Sequence, residues 1–342
     1  MKNTQWIKKI ATVALAGIMM TGLAACSSSG TASSSSAASA QDVASSSVAS
    51  EQASASEQSS QSGTPTNALE QIKQNGILTV ALSPDFAPME FVDTAKSGQD
   101  QYVGFDVSLA KYIAEELGVN LEIQAMSFDA CQTAVYTGAV EMSISGYSWT
   151  EERAANYELS DYYYAGDNET EQVLLIRSAD KDTYKSATDF AGKDIGAQNA
   201  SLQMQLVTEQ LPDSKTMAIG DINVGVLELQ NGNIEALAVA KGNADMILEN
   251  NEGLEICSWM FEVKAEYEAN VIMMGKGETQ LLEAVNAALK KAYDGGMYGP
   301  WYDEALELAK GESAEEVTVE DASAADSADT SKDASSTTTD NQ

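Results

Sequence analysis

The feature that most constrains the fold of this chain is an alternation of strand-like and helix-like stretches that occurs twice. In its first occurrence, apolar or alternating runs at 76–83, 120–126 and 140–145 are separated by helix-like stretches at 104–118 and around 130–137. A β-α-β-α-β order favours a mostly parallel sheet with helices on its faces. Asp106 is the expected N-cap of the first of these helices.

The alternation restarts after a cluster of three tyrosines at 162–164. The patterns predict strands at 171–178, 193–199, 215–219, 234–240 and 268–277, and helices at 202–210, near 225–231, up to about 249, and at 278–294 and 299–308. The sequence therefore predicts an α/β protein of two units of about 100 residues each, closed by a helical piece. Ligands of such units bind beyond the carboxyl ends of the strands.

The N-terminus has the features of a lipoprotein signal peptide. A basic start precedes an apolar stretch, Ile10 to Leu23, that is too short to span a bilayer, and the stretch ends in "LAAC". This resembles the bacterial lipobox, so we expect residues 1–25 to be removed and Cys26 to carry lipid. An ordinary secretory signal with an incidental cysteine is the alternative.

Two low-complexity segments flank the predicted fold. Residues 26–64 are nearly all Ser, Ala, Gln and Gly, and residues 312–342 contain nine acidic residues against Lys332. Neither segment can bury enough apolar surface to offset chain entropy, so both are predicted to be disordered. With a lipid on Cys26, the first would tether the domain to the outer face of the bacterial cytoplasmic membrane.

Composition excludes several classes of function. The net charge is −33, which gives no electrostatic basis for binding nucleic acid. Histidine is absent, which excludes Ser-His and Cys-His nucleophile systems and the usual zinc sites. Cys131 and Cys257 are expected to be buried free thiols. We expect no metal and no cofactor.

Arginine is rare in this chain. Arg153 and Arg177 are the only two arginines, against seventeen lysines. A guanidinium can grip a carboxylate with two parallel hydrogen bonds. Arg153 follows a predicted strand end, where a ligand would bind, although an exposed helix arginine is the ordinary alternative.

Five stretches in order resemble one family. They are "GILTVALSPDFAPMEF", "YVGFDVSLAKYIAEELG", "MSFDACQTAVYTGAVEMSISGYSWTEERAANYELSDYYY", "GKDIGAQNASLQ" and "LLEAVNAALKKAYDGGMYGPWYDEA". Together they resemble the type II periplasmic-binding-protein fold and, within it, the polar amino-acid solute-binding family (family 3) of ABC importers. The resemblance implies two lobes with mixed, mostly parallel sheets and two crossover hinge strands. It places lobe I at 65–164, lobe II at 165–269 and a return to lobe I at 270–311, with crossings near 165–172 and 266–270.

The resemblance also implies a ligand site between the lobes. Arg153 would grip the ligand α-carboxylate, Gly146 and Ser148 would add backbone and hydroxyl groups, and the rings of Phe86 and Phe128 would sandwich the ligand. Across the cleft, four positions at a helix N-terminus would complete the site: Gln198, Asn199, Ser201 and Leu202.

Two positions depart from the family pattern. Ala240 stands where the family usually has an acid for the ligand ammonium, and Ser83 stands where binders of basic amino acids hold a second ammonium. Because an unpaired buried ammonium is costly, either Asp85, Glu90 or Asp129 substitutes, or the ligand lacks an α-ammonium. We expect a non-basic amino acid; lysine and arginine are poor candidates. In the alternative, a carboxylate without an amine, Lys241 could serve a second carboxylate.

The expected function is therefore that of the ligand-binding component of an ABC importer, acting as a monomer with permease subunits and a cytoplasmic ATPase. The alternatives are a sensor domain that works with a separate partner, and an enzyme resembling cyclohexadienyl dehydratases. The last would use a cleft carboxylate, with Glu90 as the candidate, as acid and base.

Overall fold

The computed structural model describes residues 67–163 and 171–314, with side chains to residue 310. The strands are β1 (Ile77–Leu82), β2 (Asp85–Phe86), β3 (Glu90–Val92), β4 (Tyr102–Val103), β5 (Asn120–Ala125), β6 (Met142–Ser148), β7 (Tyr157–Leu159), β8 (Gln172–Arg177), β9 (Asp194–Gln198), β10 (Lys215–Ile219), β11 (Ala236–Ala240), β12 (Leu254–Met260) and β13 (Asn270–Gly275). The helices are α1 (Ala68–Asn75), α2 (Phe105–Leu117), α3 (Phe128–Thr137), α4 (Glu151–Asn156), α5 (Leu202–Gln210), α6 (Ile222–Gln230), α7 (Lys241–Asn250), α8 (Thr279–Asp294) and α9 (Tyr298–Ala314).

Two five-stranded sheets form the centres of two lobes. The first sheet has the order β5-β1-β6-β13-β7, and the second has the order β10-β9-β11-β8-β12. In each, three parallel strands are followed by one antiparallel strand, β13 or β8, and a fifth strand antiparallel to that one. The expected two-lobed fold with mixed, mostly parallel sheets is confirmed.

The first lobe closes its core with the end of the chain. Helices α2, α8 and α9 pack together, and their apolar side chains join those of β1, β6 and β13 in one buried cluster. The predicted second crossing contains a short 3₁₀ turn, Ala265–Tyr267, after which β13 enters the first sheet. The predicted first crossing falls mainly on residues 164–170, which lie outside the described residues, as do Cys26, the tether and the tail beyond 314.

A third, small sheet joins β1 to α2. It consists of β2, β3 and β4 in antiparallel order. Its strands have two or three residues each and show no alternation long enough to predict. It holds Asp85, Phe86 and Glu90 at the carboxyl end of β1.

The predicted N-cap of α2 is wrong. Gly104 occupies that position with φ +121°, and a Cβ on it would lie 2.3 Å from the carbonyl oxygen of Met89, so only glycine fits. Asp106 lies inside the helix, where its Oδ2 accepts a hydrogen bond from the Gly146 N–H at 2.8 Å. This contact with β6, rather than a helix cap, occupies the carboxylate.

Both predicted free thiols are confirmed. Cys131 and Cys257 are buried, and neither forms a disulfide. Burial raises the pKa of the Cys131 thiol to about 12, so the group is a neutral, inert part of the core. Within 67–163 and 171–314, no helix has the length and hydropathy needed to cross a bilayer.

Candidate functional site

A small cavity lies between the lobes, and we call it the interlobe cavity. It lies at the carboxyl ends of strands from both sheets, as expected for ligand sites of this architecture. Its walls come from Asp85, Phe86, Glu90, Phe128, Ser145, Gly146, Gln198, Gln203, Ile222, Ala238, Val239 and Ala240. Of the predicted site residues, Phe86, Phe128, Gly146 and Gln198 therefore line it.

Gly146 and Phe86 fit against each other in this wall. Gly146 has φ +55°, and a Cβ on it would lie 2.8 Å from a ring carbon of Phe86. Glycine therefore allows the backbone conformation and leaves space for the ring. The strand β6 holds Gly146 beside β13, whose register with β6 shifts between Val271 and Met273.

Arg153 is buried where the lobes meet, with only 5% of its surface exposed. Thr150 caps α4 by accepting the Arg153 N–H at 3.1 Å, which fixes the backbone of the arginine. The guanidinium lies over the rings of Phe128 and Tyr147, 5.7 Å and 5.3 Å from their centroids. These cation–π contacts hold the side chain in the cleft.

The Arg153 guanidinium donates to two carbonyl oxygens, one from each lobe. Nη1 donates to Ser148 at 2.7 Å, and Nη2 donates to Ala200 at 2.9 Å. No carboxylate of the described residues lies within ion-pair distance of it. Since a guanidinium has five N–H groups, three remain for an anion. Burial lowers the pKa of Arg153, but an arginine keeps its charge at any physiological pH.

Arg153 does not line the interlobe cavity. It lines a second cavity between the lobes, together with Thr150, Ser201 and Leu202. Phe128 links the two places, because its ring lines the first cavity and lies under the guanidinium. Arg153 is therefore next to the interlobe cavity, with the Phe128 ring between them.

The predicted second-lobe residues surround the N-terminus of α5. Ser201 is the N-cap, and its hydroxyl accepts the Met204 N–H at 3.1 Å. Leu202 is the first residue of the helix, so its N–H has no partner within the helix. The Asn199 side chain donates to Asp129 of the first lobe at 2.9 Å and does not line the interlobe cavity.

The loop before α5 contains a residue that the sequence did not single out. Ala200 has φ +60°, which is uncommon for a residue other than glycine. Its carbonyl oxygen accepts hydrogen bonds from Arg153 and, at 3.2 Å, from Gln132 of α3. No local pattern identifies such a residue, because alanine carries no preference for this conformation.

Asp85 lines the interlobe cavity and connects the two lobes. Its Oδ1 accepts the Ser83 hydroxyl at 2.8 Å. Its Oδ2 accepts the Gln198 amide and the Ile222 N–H at the start of α6, both at 2.8 Å. Burial raises the pKa of Asp85, while these donors act to lower it.

Glu90 is the second carboxyl group of this cavity. It is 1% exposed, and its Oε1 accepts the Ser145 hydroxyl at 2.6 Å. Burial, with the nearby charge of Asp106, raises the pKa of Glu90 well above its ordinary value. The position of Asp85 and Glu90 just after a predicted strand end was the available indication of their role.

The positions that depart from the family pattern are apolar or already paired. Ala240 lines the interlobe cavity and is fully buried. The Ser83 hydroxyl already donates a hydrogen bond to Asp85. Lys241 points elsewhere, because its ammonium pairs with Asp245 at 2.7 Å. No lysine or arginine among the described residues lines the cavity, and these residues contain no group of acidic and cysteine side chains arranged to hold a metal ion.

Comparison with known proteins gives consistent results. Residues 78–306 match the sequence profile of bacterial extracellular solute-binding proteins, family 3. The chain is 30% identical over 222 residues to the arginine-binding extracellular protein ArtP of Bacillus subtilis, covering 64% of this chain and 82% of that protein.

Two solved structures show the same similarity. The amino acid ABC transporter substrate-binding protein AbpA of Streptococcus pneumoniae, bound to L-arginine, is 34% identical with a TM-score of 0.64, covering 70% of this chain and 98% of AbpA. The ancestral amino acid-binding protein AncCDT-1, a precursor of cyclohexadienyl dehydratase, is 27% identical with a TM-score of 0.59, covering 69% of this chain and 98% of AncCDT-1.

Proposed function

Because this chain belongs to the bacterial extracellular solute-binding proteins of family 3, we propose that it is the receptor of an ABC importer for an α-amino acid. The observation that carries the proposal is the opposite charge at two sides of the cleft. Arg153 has unused donors at one side, and the carboxyl groups of Asp85 and Glu90 line the other. A zwitterion matches this arrangement.

The carboxylate of the ligand would bind at the arginine side. The three remaining N–H groups of Arg153 and the free N–H of Leu202 are suitable donors, with Ser148 and Ser201 beside them. A charge-assisted contact of this kind contributes about 1.5–3 kcal/mol net, while micromolar affinity needs about 8 kcal/mol. The rings of Phe86 and Phe128 would provide much of the difference by burial.

The amine of the ligand would face the carboxyl groups of the first lobe. The prediction of a non-basic ligand depended on the lack of an acid at positions 240 and 83. Asp85 and Glu90 now offer two acids in the same cavity, which supports the alternative that another acid substitutes. A neutral amino acid needs only one of them. The second acid favours an amino acid with a cationic side chain as the second candidate.

A carboxylate without an amine is disfavoured by the same geometry. Two acids without a cation would repel a second carboxylate in the interlobe cavity, and Lys241 is paired with Asp245. We also propose that the protein acts as a monomer, is held by lipid on Cys26 at the outer membrane face, and delivers its ligand to permease subunits driven by a cytoplasmic ATPase.

The decisive experiment is titration calorimetry of the purified protein against the twenty standard amino acids and cystine. At least one should bind with micromolar or tighter affinity and raise the melting temperature. If none binds, the proposal is wrong. Incubation with prephenate and arogenate, followed by product analysis, tests the enzyme alternative, for which we expect no turnover.

A further inference from the structure

Two buried carboxyl groups face each other beneath the interlobe cavity. Glu90 on β3 and Asp106 on α2 lie within hydrogen-bonding reach, and neither is more than 1% exposed. Asp106 Oδ2 accepts the Gly146 N–H at 2.8 Å and the Tyr163 hydroxyl at 3.0 Å. Oε2 of Glu90 and Oδ1 of Asp106 have no N–H or O–H donor in the described parts of the chain.

One proton between these two oxygens would satisfy both of them. Two ionised carboxylates side by side in a dry site repel each other, so one of the pair stays protonated. Burial raises the pKa of Asp106 to about 7, and burial together with Asp106 raises the pKa of Glu90 further. Glu90 is thus the group that keeps the proton and donates it to Asp106.

The groups around Glu90 do not offer it a counter-ion. The ionisable groups that interact with Glu90 electrostatically, besides Asp106, include Asp85 of β2, Cys131 of α3 and Tyr147 of β6. All three are neutral or negative. Arg153 lies over the Tyr147 ring and donates its hydrogen bonds to carbonyl oxygens instead.

Glu90 also has more capacity for a ligand cation than Asp85. Asp85 already accepts three hydrogen bonds, from Ser83, Gln198 and the Ile222 N–H. Oε2 of Glu90 has only the shared proton, and Glu90 lines the cavity wall. A ligand ammonium could therefore take the place of that proton without breaking a hydrogen bond between the lobes.

We propose that Glu90 and Asp106 share one proton in the ligand-free protein and that the ammonium of a bound amino acid displaces it. The O–H bond of Glu90 breaks, the proton passes to water or buffer, and the Glu90 carboxylate pairs with the ammonium. The displacement rests on the proposed function; the shared proton does not. Glu90 then performs the task for which residue 240 has no acid.

The shared proton is tested without ligand. Because the folded pair keeps a proton that the unfolded chain has lost above about pH 4, the free energy of unfolding should fall as pH rises from about 4 to the raised pKa of the pair. Glu90→Gln should reduce this fall, because its amide can donate to Asp106 at every pH. The exposed Glu122→Gln is the matched control and should keep the wild-type fall. Equal slopes in all three proteins would overturn the shared proton.

Infrared spectroscopy of the wild-type protein provides a measurement that does not depend on a variant folding. At about pH 7, the ligand-free protein should show the C=O stretch of a protonated carboxyl group, and this band should disappear as the pH is raised. Its absence at about pH 7 would overturn the shared proton.

The displacement is tested by calorimetry of an amino acid that binds, in two buffers with different enthalpies of ionisation. We expect about 0.5–1 proton released per ligand near pH 7 in the wild type and in Glu122→Gln, and almost none in Glu90→Gln, whose affinity should fall about 10-fold or more. Equal release in wild type and Glu90→Gln would overturn the displacement while leaving the proposed function intact. If no amino acid binds at all, the displacement is wrong together with the proposed function, and the two ligand-free measurements still decide the shared proton.

Discussion

The two lobes have the same strand order but contribute different chemistry to the cleft. In the first lobe, β6 ends at Ser148 and is followed by the segment with Arg153, and β1 leads to Asp85 and Glu90. In the second lobe, the equivalent strand β11 ends at Ala240, and its cavity wall is apolar. All ionisable groups of the interlobe cavity therefore belong to the first lobe. The second lobe offers amide side chains, main-chain groups and apolar surface, so recognition of charge is concentrated on one side.

The two arginines illustrate the same contrast. Arg177 of the second lobe donates to the carbonyl oxygens of Leu229 and Ile234 and also pairs with Asp180 at 2.9 Å. Arg153 also donates to two carbonyl oxygens, but no described carboxylate pairs with it. Arg177 therefore stabilises its own lobe, whereas Arg153 has N–H groups left to bind an anion.

Replacing each arginine should separate binding from stability. Arg153→Ala should lower the affinity for the bound amino acid by about 100-fold or more, because the ligand carboxylate loses its only cation. Arg177→Ala should leave affinity within about threefold and reduce the free energy of unfolding by about 1–3 kcal/mol. Calorimetry and denaturant unfolding measure both effects. If Arg153→Ala keeps full affinity, the carboxylate site is wrong.

Asp85 and Asp129 both accept hydrogen bonds from the second lobe. Replacing each in turn should separate direct contact with the ligand from the closure of the two lobes. Asp85→Asn removes a charge from the cavity wall and disturbs two bonds to the second lobe, so affinity should fall about 10- to 100-fold. Asp129→Asn disturbs one bond to the second lobe, from Asn199, and one within the first lobe, from the Ser127 hydroxyl; Asp129 does not line the cavity, so affinity should fall less than about fivefold. Equal losses in calorimetry would mean that Asp85 acts only by holding the lobes together.

Alanine substitutions at two glycines with positive φ should distinguish an effect on the shape of the site from an effect of backbone strain. Gly146→Ala should push the Phe86 ring from the cavity wall and lower affinity about 10-fold. Gly138→Ala has the same kind of strain at the end of α3, but a Cβ there meets nothing within 4 Å. It should reduce stability by about 1 kcal/mol and leave affinity unchanged. Similar affinities for the two variants would exclude Phe86 from the ligand wall.

Restoring an acid to the second lobe should have the smallest effect. In Ala240→Asp the new carboxyl group shares a buried cavity with Asp85 and Glu90, so it should stay protonated and change affinity by less than about threefold. A gain of about 10-fold or more, measured by calorimetry, would show that the ligand amine was unpaired. That result would contradict the assignment of its partner to the first lobe.

Most of the regular part of the fold was predictable from the sequence because its strands and helices are long enough to show their periods, although α1 and β12 were missed. Helix α5 and strand β10 begin and end at the predicted residues. The sheet of β2, β3 and β4 was missed because its strands have two or three residues each. Asp106 was misread because its partner, Gly146, is forty residues away in the chain. Local sequence cannot distinguish a capping aspartate from one held by a distant strand.

The candidate site was predictable only in part, because local sequence does not show which distant side chains meet. The family resemblance nominated Arg153, Phe86, Phe128 and Gly146, and the structure brings all four to the cleft. Ser201 caps α5 by accepting the Met204 N–H, as a serine at a helix start commonly does. The bond of Asn199 to Asp129 joins residues 70 positions apart, which no motif could indicate. The pairing of Glu90 with Asp106 depends on side chains from two separate elements. Only the packed structure brings them together.

The position of β13 has a consequence for the order in which the molecule is made. This strand lies between β6 and β7 in the first sheet, yet it is synthesised after every strand of the second sheet. All strands of the second sheet lie before residue 261, whereas the first sheet also needs residues 270–275 and its lobe needs α8 and α9. The lobe that begins first in the chain is therefore the last to have all of its strands available, and until then the edges of its early strands are open to pairing with other chains.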